Sequence, residues 1–143
     1  MSIEKQIILA VGAVGLVIIL ALVYWRMPKR LRANKFMTNW KDLQAYLKDS
    51  TKWSEAIIMA DTLLDRALKK RKFRGGSMGE RMVSAQRYFT NNDDIWFAHN
   101  LCKKLKANKE MKLKEDDVKD ALIGFRQGLR DLGALDNGQS RDA

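Results

Sequence analysis

The stretch "QIILAVGAVGLVIILALVYW", Gln6 to Trp25, contains no charged side chain. A helix rises 1.5 Å per residue, so such a run covers about 30 Å, the thickness of bilayer hydrocarbon. A core helix of a globular domain would keep a polar stripe, and this segment has none. A cleaved signal peptide needs a basic start, a shorter apolar core and small residues at its end. Here the chain starts "MSIEK" and leaves the span through "VYWRMPKR", bulky and then basic. The expectation is a retained single transmembrane helix over residues 6–25, with residues 1–5 as a short extracytoplasmic N-terminus.

The flanks orient it. Residues 26–35 form a basic juxtamembrane arm carrying Arg26, Lys29, Arg30, Arg32 and Lys35 with no acid. The positive-inside rule then places everything after the span in the cytosol. Tyr24 and Trp25 fall at headgroup level, and anionic lipid would attract the arm by about 1 kcal/mol per cation. The arm reads mainly as a topology signal. Of the net charge of +10, residues 1–35 hold half, with six cations against one acid. That halves the weight of basicity as a sign of nucleic-acid binding. The single cysteine, Cys102, excludes an intrachain disulfide and suits a reducing compartment.

Beyond Pro28 the pattern is helical throughout. Phe36, Trp40, Leu43 and Leu47 recur at helical spacing, and Asp49 to Thr51 interrupts them. Trp53, Ala56, Ile57, Ala60, Leu63, Leu64, Ala67 and Leu68 form a long apolar stripe. "RGG" at 74–76 is expected to stop that helix, and "SMGE" at 77–80 to open the next as a capping box. Met78, Met82, Ala85 and Phe89 give a short third stripe, and "TNNDD" at 90–94 supplies N-cap material. Ile95, Ala98, Leu101, Cys102 and Leu105 form a further face. In the last helix acids lead, arginines follow, and Val118, Leu122, Phe125, Leu129 and Leu132 mark the core side, with Gly133 at the C-cap. The fold class is all-α: a transmembrane helix followed by a bundle of four or five helices over residues 36–135, then a tail, 136–143, predicted to be disordered.

Three constellations could carry chemistry. His99 and Cys102 are three residues apart on one helix face, but zinc takes three or four ligands and no other His or Cys exists. A packed thiol beside a hydrogen-bonded imidazole is the simpler reading. Asp61 and Asp65 lie one turn apart, with Glu55 upstream; like charges at this spacing ask for a cation, and Arg81 is the expected partner. Paired carboxylates also serve acid–base catalysis or hold magnesium, but no glycine-rich phosphate loop accompanies these, and structural ion pairs are expected. Arg66, Lys69, Lys70, Arg71, Lys72 and Arg74 form one basic run; Lys103, Lys104, Lys106, Lys109, Lys112 and Lys114 form another. Both could grip phosphates or lipid headgroups, and both also suit helix C-termini.

Residues 55–135 resemble small bacterial helical domains of the HEPN type, which often follow one membrane span. The resemblance rests on "ADTLLD" (60–65), "SMGERM" (77–82), "IWFAH" (95–99) and "LRDLGAL" (129–135). It implies a mostly antiparallel bundle that tends to dimerise, at the inner membrane of a bacterium. In active members of the wider superfamily it also implies metal-independent RNA cleavage. That chemistry uses an arginine, a following polar residue, and a histidine four to six residues on. Here the arginine position falls on Cys102, the polar position on Lys103 and the histidine position on Ala107. Alanine cannot exchange a proton.

The expectation is therefore a membrane-anchored, non-catalytic pseudo-HEPN module, needing no cofactor or metal, whose partner is another protein or a second copy. Gly12 and Gly15 would allow close approach of two spans, although a GxxxG spacing is missing. Binding of RNA through the basic runs is the second expectation. An enzyme using Asp61, Asp65 or His99 is the third.

Overall fold

The computed structural model describes residues 2–26 and 33–135, which excludes the juxtamembrane cations Lys29, Arg30 and Arg32 and the tail 136–143. Its regular structure is all helical: α1 (Ile3–Arg26), α2 (Ala33–Ala45), two 3-10 turns (Tyr46–Lys48 and Ser50–Lys52), α3 (Trp53–Lys70), α4 (Met78–Ser84), α5 (Asn92–Ala107) and α6 (Glu115–Asp131). α1 is the one helix among the described residues long and apolar enough to cross a membrane, and none of that span is buried against the rest of the chain.

The segment 36–47, which could have prolonged the stalk, joins the bundle instead. Phe36, Trp40 and Leu43 of α2 recur at four and three residues and are buried. The turn after α2 is held by Asp49, whose carboxylate accepts from the Thr51 amide (3.0 Å) and hydroxyl (2.7 Å). The Trp53 indole donates back to the Leu47 carbonyl at 3.0 Å. From there the apolar stripe of α3 lies on the core axis, with Ile57, Ala60, Leu64, Ala67 and Leu68 all buried.

α3 ends at Lys70, four residues before the expected "RGG" stop. The Phe73 amide bonds the Leu68 carbonyl and the Lys72 amide bonds the Lys69 carbonyl, the paired bonds of a Schellman end. Lys72 itself takes the left-handed turn at φ 60°, a conformation that favours glycine and costs other residues about 1–2 kcal/mol. Burial of Phe73 against the core helps offset that cost. α6 closes in the same way with Gly133 at φ 78° and the Ala134 amide on the Leu129 carbonyl. Ser77 caps α4 by accepting from the Glu80 amide, as a capping box requires. The glutamate, however, reaches past Ser77 to the Gly76 amide at 2.6 Å.

α5 and α6 pack most closely where side chains are smallest. A Cβ on Gly124 would lie 2.6 Å from the Asp94 carbonyl oxygen, and one on Gly128 would lie 3.0 Å from Ile95. Neighbour pairs give the helix directions. Leu64 and Ile95 meet at Gly128, and Asp61 meets His99, so α3 and α5 are antiparallel. The Lys70 ammonium sits 5.4 Å over the Phe36 ring, which sets α2 antiparallel to α3. The Arg71 guanidinium donates to the Leu132 carbonyl at 3.1 Å, so α3 and α6 run the same way. One end of the bundle thus gathers the start of α2 and the ends of α3 and α6. α2 starts seven residues after α1 ends, a link of about 25 Å at most when extended. The Lys72 ammonium donates to the Trp25 carbonyl at the end of α1.

Candidate functional site

Asp61 occupies a position among the core residues of α3 and is 3% exposed. A carboxylate there must be paired. Its partner is not Arg81. Asp61 Oδ1 lies 2.8 Å from Nδ1 of His99 on α5, itself 8% exposed. An ionised carboxylate only accepts, so Nδ1 carries the shared hydrogen. Oδ2 faces the Lys106 ammonium at 3.9 Å, a loose contact with an exposed side chain. Trp96 covers the imidazole edge-on, with ring centroids 6.1 Å apart.

Cys102 is fully buried on the same helix face, one turn from His99. Burial, and next the Asp61 charge, push its thiol up to about 12, with Lys106 pulling the other way. A nucleophilic cysteine needs the opposite shift. Asp61, His99 and Cys102 therefore form a polar clasp between α3 and α5, without a thiolate to attack a substrate. No cluster of three or more His, Cys, Asp or Glu side chains poised for a metal ion occurs among the described residues.

Asp65, one turn further along α3, sits at the rim. Arg81 of α4 grips it with two bonds, Nε to Oδ1 at 2.8 Å and Nη2 to Oδ2 at 3.1 Å. Its Nη1 also donates to the Gly75 carbonyl. Lys69 adds a contact at 3.2 Å. Burial works against the Asp65 charge, but the hydrogen bonds and charges of Arg81 and Lys69 outweigh it and hold the carboxyl below its usual range. This bidentate pair ties the loop before α4 to α3.

The two basic runs do not meet. Lys69, Lys70, Arg71, Lys72 and Arg74 lie where α3 ends, next to the start of α2. Lys103, Lys104 and Lys106 lie at the end of α5, which by the antiparallel order is beside the start of α3. The 18 residues of α3 separate these helix ends by about 27 Å, with the Lys106 side chain reaching back to Asp61 in the middle of α3. Several cations of the first run are already engaged. Lys69 pairs with Asp65, and the Arg71 guanidinium stacks 5.0 Å from the Tyr88 ring while bonding Leu132. Lys103 and Lys104 are exposed with no ion pair among the described residues. Lys35 is exposed beside the first run's end of the bundle.

A third feature had no counterpart in the sequence reading. Between α2 and α6 lies a cavity of about 230 Å³ lined by Met37, Trp40, Lys41, Gln44, Arg126, Arg130 and Leu135. Further along the same seam Trp40, Leu47 and Leu122 border a groove beside Ile123, which is 61% exposed. The residue types of "FRQGLR" (125–130) hint at a basic helix face, but its pairing with Trp40 is a tertiary fact.

No protein-family model matches this chain, and no curated protein or solved structure matches it significantly.

Proposed function

We propose that this chain is a membrane-anchored, non-catalytic helical module that acts by binding a protein partner or a second copy of itself. One observation carries the reading: Asp61, His99 and Cys102, the groups best suited to chemistry, are turned into the core and occupied with one another. In this reading α1 crosses the bilayer, and the cations Arg26, Lys29, Arg30, Arg32 and Lys35 keep the bundle on the cytosolic side. The bundle is a pseudo-HEPN domain with α5 as the helix that bears the reactive pair in active members. Its arginine position is the buried Cys102 and its histidine position is Ala107. The α2–α6 seam, with Ile123 exposed beside Leu47 and Leu122, supplies apolar surface for the partner.

The test is photo-crosslinking from position 123 of the full-length protein in its native membrane. A discrete adduct, of one partner or of a dimer, that disappears in Leu47→Glu is expected. Diffuse labelling unaffected by that change, or cleavage of labelled RNA by the purified protein, would overturn the proposal.

Binding of RNA is the second reading, favoured by lysines 103 and 104, which have no ion pair among the described residues. Because the basic ends are separated, each end offers only a few phosphate contacts. Anisotropy with labelled single-stranded RNA at two salt concentrations tests it. Salt-sensitive binding weakened by Lys103→Glu with Lys104→Glu supports it, and binding indifferent to both removes it.

A further inference from the structure

The outer face of α6 is divided by sign. Ile123 sits near its middle and is 61% exposed, more than any other large apolar side chain among the described residues of the bundle. Before it, Glu115, Asp116 and Asp120 are exposed carboxylates set against one ammonium, Lys119, which pairs with Glu115 at 3.2 Å. After it come Arg126, exposed, and Arg130, half-buried, with no acid between them. Asp131 follows, but its carboxylate is committed to Thr90 and Gln127. The helix dipole favours acids in the first turn and cations in the last, and its pull fades within a turn. It accounts for Glu115, Asp116 and Arg130, and not for Asp120, Arg126 or the exposed Ile123.

We infer that this face pairs with the same face of a second copy, the two α6 helices running antiparallel across a twofold axis at Ile123. The inference rests on the reading of the chain as a membrane-anchored binding module, and it names the partner. A twofold contact sets one patch against itself, so the patch must be its own complement. Antiparallel pairing meets that condition. The leading half of the face, three carboxylates less one ammonium, lies over the partner's trailing half with its two arginines. Parallel pairing would set like charges together. Asp120 and Arg126 lie three residues either side of Ile123, and Asp116 and Arg130 seven, so the symmetry brings each acid level with an arginine of the other copy. The two Ile123 side chains meet at the axis, beside the groove bordered by Trp40, Leu47 and Leu122.

A different protein would need the same two halves in reverse order. A second copy carries them already, and at the same distance from the bilayer. With both α1 helices in one membrane the twofold axis stands along the membrane normal, α6 lies flat, and the two links leave from opposite ends of the pair. One helix face offers less than the roughly 1,200–2,000 Å² of a stable interface. The pair is therefore weak between free chains and gains from anchoring, which raises the effective concentration of one copy around the other.

The experiment uses the full chain in phosphatidylcholine vesicles, oxidised with copper–phenanthroline. Ile123→Cys is compared with Asp116→Cys and with the unchanged chain, whose Cys102 is buried. A disulfide-linked dimer is expected from Ile123→Cys. Asp116→Cys should give roughly tenfold less, since the symmetry holds its two copies about 21 Å apart along the helices. Adding Asp116→Lys with Asp120→Lys to Ile123→Cys should remove the dimer. Mixing that chain with Ile123→Cys carrying Arg126→Glu should restore a mixed dimer, and all of these positions are exposed, which spares the core. No dimer at position 123, equal yields at 123 and 116, or a yield indifferent to charge reversal overturns the inference. If the dimer is absent while photo-crosslinking from position 123 captures a different protein, self-pairing falls and the binding-module reading stands. If neither adduct forms, both fall.

Discussion

Asp61 and Asp65 carry the same side chain one turn apart on α3, yet their surroundings have little in common. Four residues rotate a helix position by about 40°, enough to carry a carboxylate from the core to the rim. Asp61, buried, is held by the His99 imidazole inside the α3–α5 seam. Asp65, with 18% of its side chain exposed, is held by the Arg81 guanidinium, itself 11% exposed, and by the exposed Lys69 ammonium. The core carboxylate is held by one ring nitrogen, and the rim carboxylate by a two-bond guanidinium clamp backed by an exposed ammonium. The same chemical group therefore does different structural work according to depth.

The largest effect expected from this contrast is at Asp61. Asp61→Ala leaves the His99 donor buried without an acceptor and is expected to lower stability by about 3 kcal/mol, measured by urea unfolding followed by helical circular dichroism. Replacing both partners, Asp61→Leu with His99→Leu, should recover most of that loss, because two apolar groups need no pairing. A single-mutant cost under about 1 kcal/mol would mean that the clasp is not structural.

Cys102 comes next. With its thiol raised from 9.0 to about 12, the thiolate fraction at pH 8 falls about a thousandfold, and alkylation of the native protein should slow at least as much. Rapid labelling without denaturant would show that the α3–α5 seam opens readily. Asp65→Ala should cost about 2 kcal/mol, because it strips the mostly buried Arg81 guanidinium of its two-bond acceptor. The sign of its pH dependence follows from its lowered pKa. The unfolded carboxyl titrates near 3.8, so the stabilisation is present above that value and is lost as pH falls below it through the folded pKa. Asp65→Asn should therefore flatten the acid limb of the stability curve below about pH 4. Smallest is Lys69→Ala, expected to change stability by only a few tenths of a kcal/mol, because its contact is an exposed one-turn pair. A larger loss there would bring the rim site closer in character to the core one.

Much of the architecture was legible before any coordinates. The uncharged run predicted α1, and apolar spacing predicted the buried faces of α2, α3, α5 and α6, since both depend on which residues repeat along a single helix. The pairing of Asp65 with Arg81 was anticipated as a cation near a carboxylate cluster. Where local reasoning failed, a distant contact had intervened. The end of α3 moved forward from "RGG" to Lys70 as Phe73 folded back on the core and forced Lys72 into the left-handed turn. The Glu80 side chain passed Ser77 because the tight turn presented the Gly76 amide. Arg81 was the expected partner of both carboxylates, yet Asp61 bonds His99, and nothing local singled out a histidine 38 positions away.

The sequence by itself determined that the chain is helical, that one helix suits a bilayer, and which faces of the others are apolar, because these properties arise from residues a few positions apart. The tertiary structure alone decided that Asp61 meets His99, that the basic runs lie at opposite ends, and that Trp40 faces Arg126 and Arg130. Those outcomes depend on the order and direction in which helices pack. That arrangement follows from how the apolar faces fit together, including the close approach at Gly124 and Gly128, and no single helix encodes it.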